Sequence, residues 1–226
     1  MRPTVPSRCS VILLFHLITA GAIAQTGGPP PNAPEAVPPL LQFRPSVPEP
    51  TMPAARRFQD SRFGISFTVP AAWNLTRRDF EVSTFHLDAR SAAHNALLRA
   101  VASISFNPHP TSTFSGALFY FSVAPQTTST QCAFQATPTP SRTATAVEIG
   151  GLTFTRGYDE HGGVCTESRD EIFTTWRKQG CFRFDVVINN FCGGDVSGIR
   201  DINQGELASV RKRMQAILDT VHFDAK

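Results

Sequence analysis

Between Asp159 and Asn190 the chain gathers most of the side chains able to do polar chemistry: Asp159, Glu160, His161, Glu167, Arg169, Asp170, Glu171, Arg183, Asp185, Asn189 and Asn190. Carboxylates beside guanidiniums can do three things. They can pair across a solvated sheet face, where each pair contributes little. They can form a polar ligand surface, with Arg169 or Arg183 gripping a carboxylate. They can also work as general acid and base, with Glu167 or Asp170 in that role, provided burial or a close charge moves a pKa. His161 beside Asp159 has metal-ligand chemistry, but Asp-Glu-His-Gly-Gly is also ordinary turn sequence.

Which side chains meet depends on the elements that carry them. Ala146 to Tyr158, Cys165 to Trp176 and Cys181 to Phe191 read as three sequential antiparallel strands, with turns at His161-Gly162-Gly163 and Arg177-Lys178-Gln179-Gly180. Centring the second turn on Lys178-Gln179 places Glu167 opposite Asn190, Arg169 opposite Ile188 and Asp170 opposite Val187. Residues of equal parity share a face, so in this register the candidate ligand residues Glu167, Arg169, Asp170, Arg183 and Asp185 do not converge on one point.

The same register bears on the cysteines. Cys132, Cys165, Cys181 and Cys192 are spaced 33, 16 and 11 positions apart, without a C-x-x-C knuckle, which favours two disulfides over zinc. Cys165 and Cys192 face each other at the open end of the hairpin. Cys181 and Cys192 lie on one strand, about 36 Å apart when fully extended, beyond any bridge. An unbulged hairpin therefore predicts Cys165–Cys192 with Cys132–Cys181.

Four of the five cysteines, all but Cys9, lie beyond residue 24, an even count that suits an exported chain, and the N-terminus agrees. Arg2 and Arg8 precede the apolar run Val11–Ala24, whose small residues Ala22 and Ala24 fit a signal-peptidase site. Residues 1–24 thus read as a signal peptide. The run is short for a span of about 20 residues, and Gln25 rather than a cysteine follows it, so neither a membrane span nor a lipid anchor is expected. Loss of Arg2 and Arg8 leaves 19 of the 21 basic residues against 18 acidic ones, a balance that does not call for nucleic acid or an anionic membrane as partner.

Ten of the 18 prolines fall between Gln25 and Arg57, which makes residues 25–57 an extended tether. Residues 58–226 form one domain. Phe63, Ile65, Phe67 and Val69 alternate in a strand stopped by Pro70. Val82–Leu87 and Val101–Phe106 are further strands with a short helix over Ser91–Ala100 between them, Phe114–Val123 is a central strand, and Thr127–Thr145 is a loop. Asn203 with Glu206 three residues on has capping-box spacing. Leu207, Val210, Met214, Ile217, Leu218 and Val221 then mark one face of a closing helix, opposite Arg211, Lys212 and Arg213. Trp73 and Trp176 read as core residues in alternating strands, with sugar-stacking platforms as the other option.

The run Phe63-Gly64-Ile65-Ser66-Phe67-Thr68-Val69-Pro70-Ala71-Ala72-Trp73, followed by an antiparallel sheet and a closing amphipathic helix, resembles the PsbP/DcrB-like group of extracytoplasmic domains. Phe106-Asn107-Pro108 and Cys181-Phe182-Arg183-Phe184-Asp185 look like segments of exported bacterial proteins. The resemblance implies an α+β fold, mainly antiparallel sheet with a C-terminal helix packed on one face as a PsbP-like α/β sandwich. It also implies a module that assists or binds another envelope protein, in the periplasm or secreted, rather than an enzyme. The four cysteines and the Pro-rich leader depart from that pattern.

No Gly-x-Ser-x-Gly elbow, His-Glu-x-x-His, phosphate loop or dinucleotide fingerprint is present, and no cofactor or metal is expected. Ser209-x-x-Lys212 matches a penicillin-binding element, but lacks its companions and lies late in a surface helix. The alternatives to a binding module are a hydrolase or metal-dependent enzyme working through the meander carboxylates, and a binder of envelope polysaccharide.

Overall fold

The structure is a computed structural model, and it describes residues 55–81, 96–137, 143–163, 165–178, 180–191 and 198–224. Alternation in the opening segment produces two strands, β1 (Arg56–Asp60) and β2 (Ile65–Val69), joined by a turn in which Gly64 takes a positive φ of 62°. Pro70 ends β2 as expected. Trp73 opens β3 (Trp73–Glu81), followed by β4 (Leu97–Ile104) and β5 (Phe114–Pro125). After α1 (Ser129–Gln135) come β6 (Thr145–Ile149), β7 (Leu152–Gly163), β8 (Thr166–Arg177) and β9 (Gly180–Phe191), then α2 (Gln204–Leu218) and β10 (His222–Phe223).

The expected α+β class needs correcting: the chain is a β-rich sandwich. Among the described residues ten strands form two antiparallel sheets, one of three strands in the order β1-β2-β10 and one of seven in the order β3-β4-β5-β9-β8-β7-β6. The reason lies in the chain ends. The β1–β2 hairpin does not join the meander; it pairs instead with the two residues just after α2, through His222 opposite Ser66 and Phe223 opposite Ile65. The second layer over the large sheet is therefore a small sheet beside a helix rather than a helix alone.

Aromatic rings weld the layers. Phe67 meets Phe119 at 5.3 Å between centroids, Phe58 meets Phe121 at 6.0 Å, and Phe182 meets Phe223 at 6.1 Å. Each fully buried ring of this kind contributes on the order of 1.5–3 kcal/mol. The expected face of α2 is buried at Leu207, Val210, Met214, Ile217 and Leu218. Its capping box is formed as predicted, with Asn203 Oδ1 accepting from Glu206 N and Glu206 Oε2 accepting from Asn203 N, both at 3.0 Å. The Arg200 guanidinium on Glu206 and the Asn203 amide pull the Glu206 carboxyl down to about 2. Asp60, fully buried, accepts from Arg99 Nε at 2.7 Å and ties β1 to β4.

Local differences have local causes. The expected single strand over Ala146–Tyr158 is a hairpin of β6 and β7, because Gly150 and Gly151 both take positive φ, 57° and 76°, the conformation a two-residue hairpin loop requires. The expected loop over Thr127–Thr145 contains α1, started by a capping box in which Thr128 Oγ1 accepts from Gln131 N. The expected helix over Ser91–Ala100 is strand from Leu97 onward; its first residues, like Val82–Leu87, lie outside the described residues. Trp73 is core as expected, 1% exposed, whereas Trp176 is not, with 46% of its surface exposed. Among the described residues no helix is long and apolar enough to cross a membrane.

Candidate functional site

The β8–β9 hairpin has the predicted register over its whole described length, from Thr166 opposite Phe191 to Arg177 opposite Gly180, without a bulge. Parity then sorts the polar residues into two places. Asp170 on β8 and Arg183 and Asp185 on β9 share the face that α1 covers. Glu167 and Arg169 on β8 share the other face, at the open end of the hairpin. The five candidate residues are therefore not one site.

Under α1 the network is closed. The helix is pinned by the Cys132–Cys181 disulfide, as the register argument expected. It lies so near β7 that a Cβ on Gly157 would fall 1.5 Å from the Ala136 carbonyl oxygen, so only glycine fits there. Trp176 Nε1 donates to the Thr127 carbonyl just before the helix. Beneath it, Arg183 Nε donates to both oxygens of Asp185, at 2.8 and 3.0 Å, and its Nη1 reaches the Gln135 carbonyl at 3.4 Å. Asp170 lies 3.8 Å from Arg183 Nη2 and directly opposite Asp159, which in turn is 3.2 Å from His161 Nδ1. Asp159, Asp170, Arg183 and Asp185 are each 2% exposed or less.

Three carboxyls around one guanidinium cannot all stay ionised away from water. Burial, and then the Asp185 charge, push the Asp170 carboxyl well above the usual carboxylate range, with Arg183 opposing. Neither Asp170 oxygen has a hydrogen-bond partner, which fits a carboxyl held neutral rather than ionised. Burial lowers the Arg183 guanidinium, but Asp185 and Asp170 more than offset it and the net shift is upward. This cluster has the convergence that acid–base chemistry needs, yet it is enclosed and internally matched. Among the described residues no three His, Cys, Asp or Glu side chains stand so as to hold a metal ion.

At the hairpin's open end the arrangement is reversed. A groove of about 390 Å³ is lined by Thr113, Glu167, Arg169, Asn190, Phe191 and Asp201, among others. Arg169 donates to Glu160 at 3.3 Å and to both oxygens of Glu167 at 3.1 Å. Partial burial lowers its guanidinium and the Glu167 charge raises it, with a net upward shift. Asn190 Nδ2 donates to Glu167 Oε2 at 3.4 Å, while Asn190 Oδ1 is buried and has no partner. The Phe191 ring is 51% exposed. Three bonds hold the floor: Phe191 N to the Thr113 carbonyl at 2.8 Å, Thr113 N to the Arg200 carbonyl at 2.9 Å, and Ile202 N to Thr113 Oγ1 at 3.0 Å.

Sequence reasoning missed Asn190, Phe191 and Asp201 as groove residues. The pairing of Glu167 with Asn190 was in hand; the return of residues 200–202 to β5, through the Ser112–Arg200 bridge, left no periodic signal. The expected Cys165–Cys192 bridge needs correcting: Cys165 is an exposed free thiol that takes a positive φ of 58° just before β8 instead of continuing the strand, and Cys192 lies outside the described residues.

No protein-family model matches the chain, and no curated protein matches it in sequence. Solved structures do. The chain is similar to a protein from Bacteroides thetaiotaomicron (14% identity, TM-score 0.39), covering 75% of this chain and 48% of that one, so it spans about half its length. It is similar to LpqN of Mycobacterium tuberculosis, described as involved in cell envelope biogenesis (10% identity, TM-score 0.37, 71% and 83% covered). It is also similar to cyanobacterial PsbP from Synechocystis (11% identity, TM-score 0.39, 76% and 94% covered). At these scores the likeness is one of general layout and carries no activity to this chain.

Proposed function

We propose that the chain is a non-enzymatic, exported module of the cell envelope that binds or steadies another envelope protein, presenting its domain on the Pro-rich segment 25–57. Contact is made at the groove at the open end of the β8–β9 hairpin. The observation that supports this reading is the pairing of an open groove with a buried, unpartnered acceptor, Asn190 Oδ1. Binding sites are concave places where a few convergent polar groups fix orientation, and a buried acceptor without a partner is unfavourable until one arrives. The carboxylates that do converge, under α1, are already neutralised by Arg183 and by proton uptake, which favours a structural role for them. The signal-like N-terminal run and the disulfide support export.

In-cell cross-linking of the tagged mature protein tests the reading, with Glu167→Gln/Asp201→Asn as the groove variant and Asp170→Asn as the buried control. The expected result is stoichiometric capture of one envelope protein, retained by Asp170→Asn and lost in the groove variant. Absence of a stoichiometric partner, or equal capture by the groove variant, overturns it.

A further inference from the structure

The groove has more acceptors than donors. Three carboxylates, Glu160, Glu167 and Asp201, stand in or beside it against the Arg169 guanidinium, while the neighbouring Arg200 is taken up by Glu206. Arg169 is already matched, bridging Glu160 and Glu167 within 3.3 Å. Of the other lining groups, Asp201 is exposed, the Phe191 ring is half exposed, and Asn190 keeps a buried, unpartnered Oδ1 in the wall. An anionic guest would meet an excess of negative charge and an acceptor it cannot satisfy. A neutral polyol could donate to Asn190, but would leave that negative charge unanswered. A cation with several N–H donors answers all three features. It makes charge-assisted bonds to a carboxylate and an amide oxygen, and an ammonium or guanidinium is attracted to an aromatic face within about 6 Å.

We propose that the groove between Glu167, Asn190, Phe191 and Asp201 is a seat for a basic side chain, lysine or arginine, presented by the partner protein. This rests on the groove being the contact surface and names the group it takes. The floor is fixed by backbone bonds among Thr113, Phe191 and Arg200 and by the Ile202 amide on the Thr113 hydroxyl, so the lining is ordered before the guest arrives, which lowers the ordering cost of binding.

The test is an NMR titration of the full mature protein with Nα-acetyl-lysine methylamide and Nα-acetyl-arginine methylamide. Each is compared with its neutral isostere, the Nε-acetylated lysine and the citrulline analogue. The expected result is movement of the Asn190 side-chain amide and of the Thr166 and Phe191 backbone amides with at least one cation, at an affinity about tenfold or more above its isostere. Asp201→Asn, an exposed position that should not disturb folding, is expected to weaken that binding severalfold, and added salt to weaken it further. Equal response to cation and isostere, no response to either cation, or tighter binding of a neutral hexose at the same signals overturns the proposal. Failure here with capture still lost in the groove variant removes the basic side chain and leaves the contact surface standing. Capture unaffected by the groove variant removes both.

Discussion

The network under α1 and the groove at the hairpin's end are built from the same residue types on the same two strands, and they end in opposite states. Asp170 is one position from Arg169, yet Asp170 is fully buried whereas the Arg169 side chain keeps 22% of its surface. In the network, burial is deep enough that charge is removed by protonation; in the groove, solvent leaves charges in place and pairs them loosely. The cause is the two-residue period of a strand together with where cover happens to fall. A helix stapled by Cys132–Cys181 closes one face, and nothing among the described residues closes the other at its open end. Polar side chains on a sheet thus become structural or available according to parity and cover rather than composition.

The sharpest way to break this contrast is to remove the same group from both places. Arg183→Met leaves Asp159, Asp170 and Asp185 buried without their cation and should cost about 3–5 kcal/mol in urea unfolding. Arg169→Met, with its partners half in water, should cost about 1 kcal/mol or less. Equal losses would mean the network is more solvated than its burial implies. The staple is next. It closes a loop spanning 49 positions, and a Cys132→Ala/Cys181→Ala variant should lose about 2–4 kcal/mol on that account. Amide exchange should rise across α1 and residues 181–185 while the groove amides stay protected as before; an equal rise at Thr113 and Phe191 would deny the independence of the two regions.

What could be read from sequence follows the same division. The hairpin register was legible from a turn centred on Lys178-Gln179 in the sequence, and with it came the Cys132–Cys181 bridge and the Glu167–Asn190 pairing; the α2 face was legible separately, from its helical spacing. Two further signals were present and unread: Gly150-Gly151 as a hairpin loop, and Thr128 with Gln131 as a capping box. Both sit in short elements whose apolar pattern is too brief to announce them. The two-sheet architecture was not legible, since the pairing of His222–Phe223 with β2 joins residues more than 150 positions apart with only two residues of strand. Cover could not be foreseen either: Asp170 and Arg169 look alike until α1 is seen to lie over one of them.

Proton linkage sharpens the comparison further. The Asp170 carboxyl titrates well above its unfolded value because burial and Asp185 disfavour its charge. The folded protein therefore holds a proton that the unfolded chain has released. The stability carried by the neutral acid is present in full below the unfolded value near pH 4 and is lost as pH rises through the folded value, by about 1.4 kcal/mol per pH unit within that window. The groups facing it are Asp159 from β7, itself beside His161, and Arg183 and Asp185 from β9, with Arg183 also held by the Gln135 carbonyl of α1. Asp170→Asn keeps the shape of the neutral acid and removes its proton. Thermal unfolding from pH 5 to 9 should show a falling Tm for the native chain and a flatter profile for Asp170→Asn. Parallel profiles would place the buried proton elsewhere.

The smallest effect belongs to the groove, and its smallness is the point. A double-mutant cycle of Glu167→Gln and Arg169→Gln should return a coupling of about 0.2–1 kcal/mol, as expected for pairs with 39% and 22% of their side-chain surface in solvent. Because those charges face water, raising the salt to about 1 M, where the screening length falls to about 3 Å, should remove most of it. A salt-insensitive coupling above about 2 kcal/mol would show the pair to be desolvated, and the open end of the hairpin would then be a second closed network. A weak, salt-sensitive coupling means that Glu167 and Arg169 can be rearranged at little cost to the fold, which is the property a contact surface needs and the buried network cannot have.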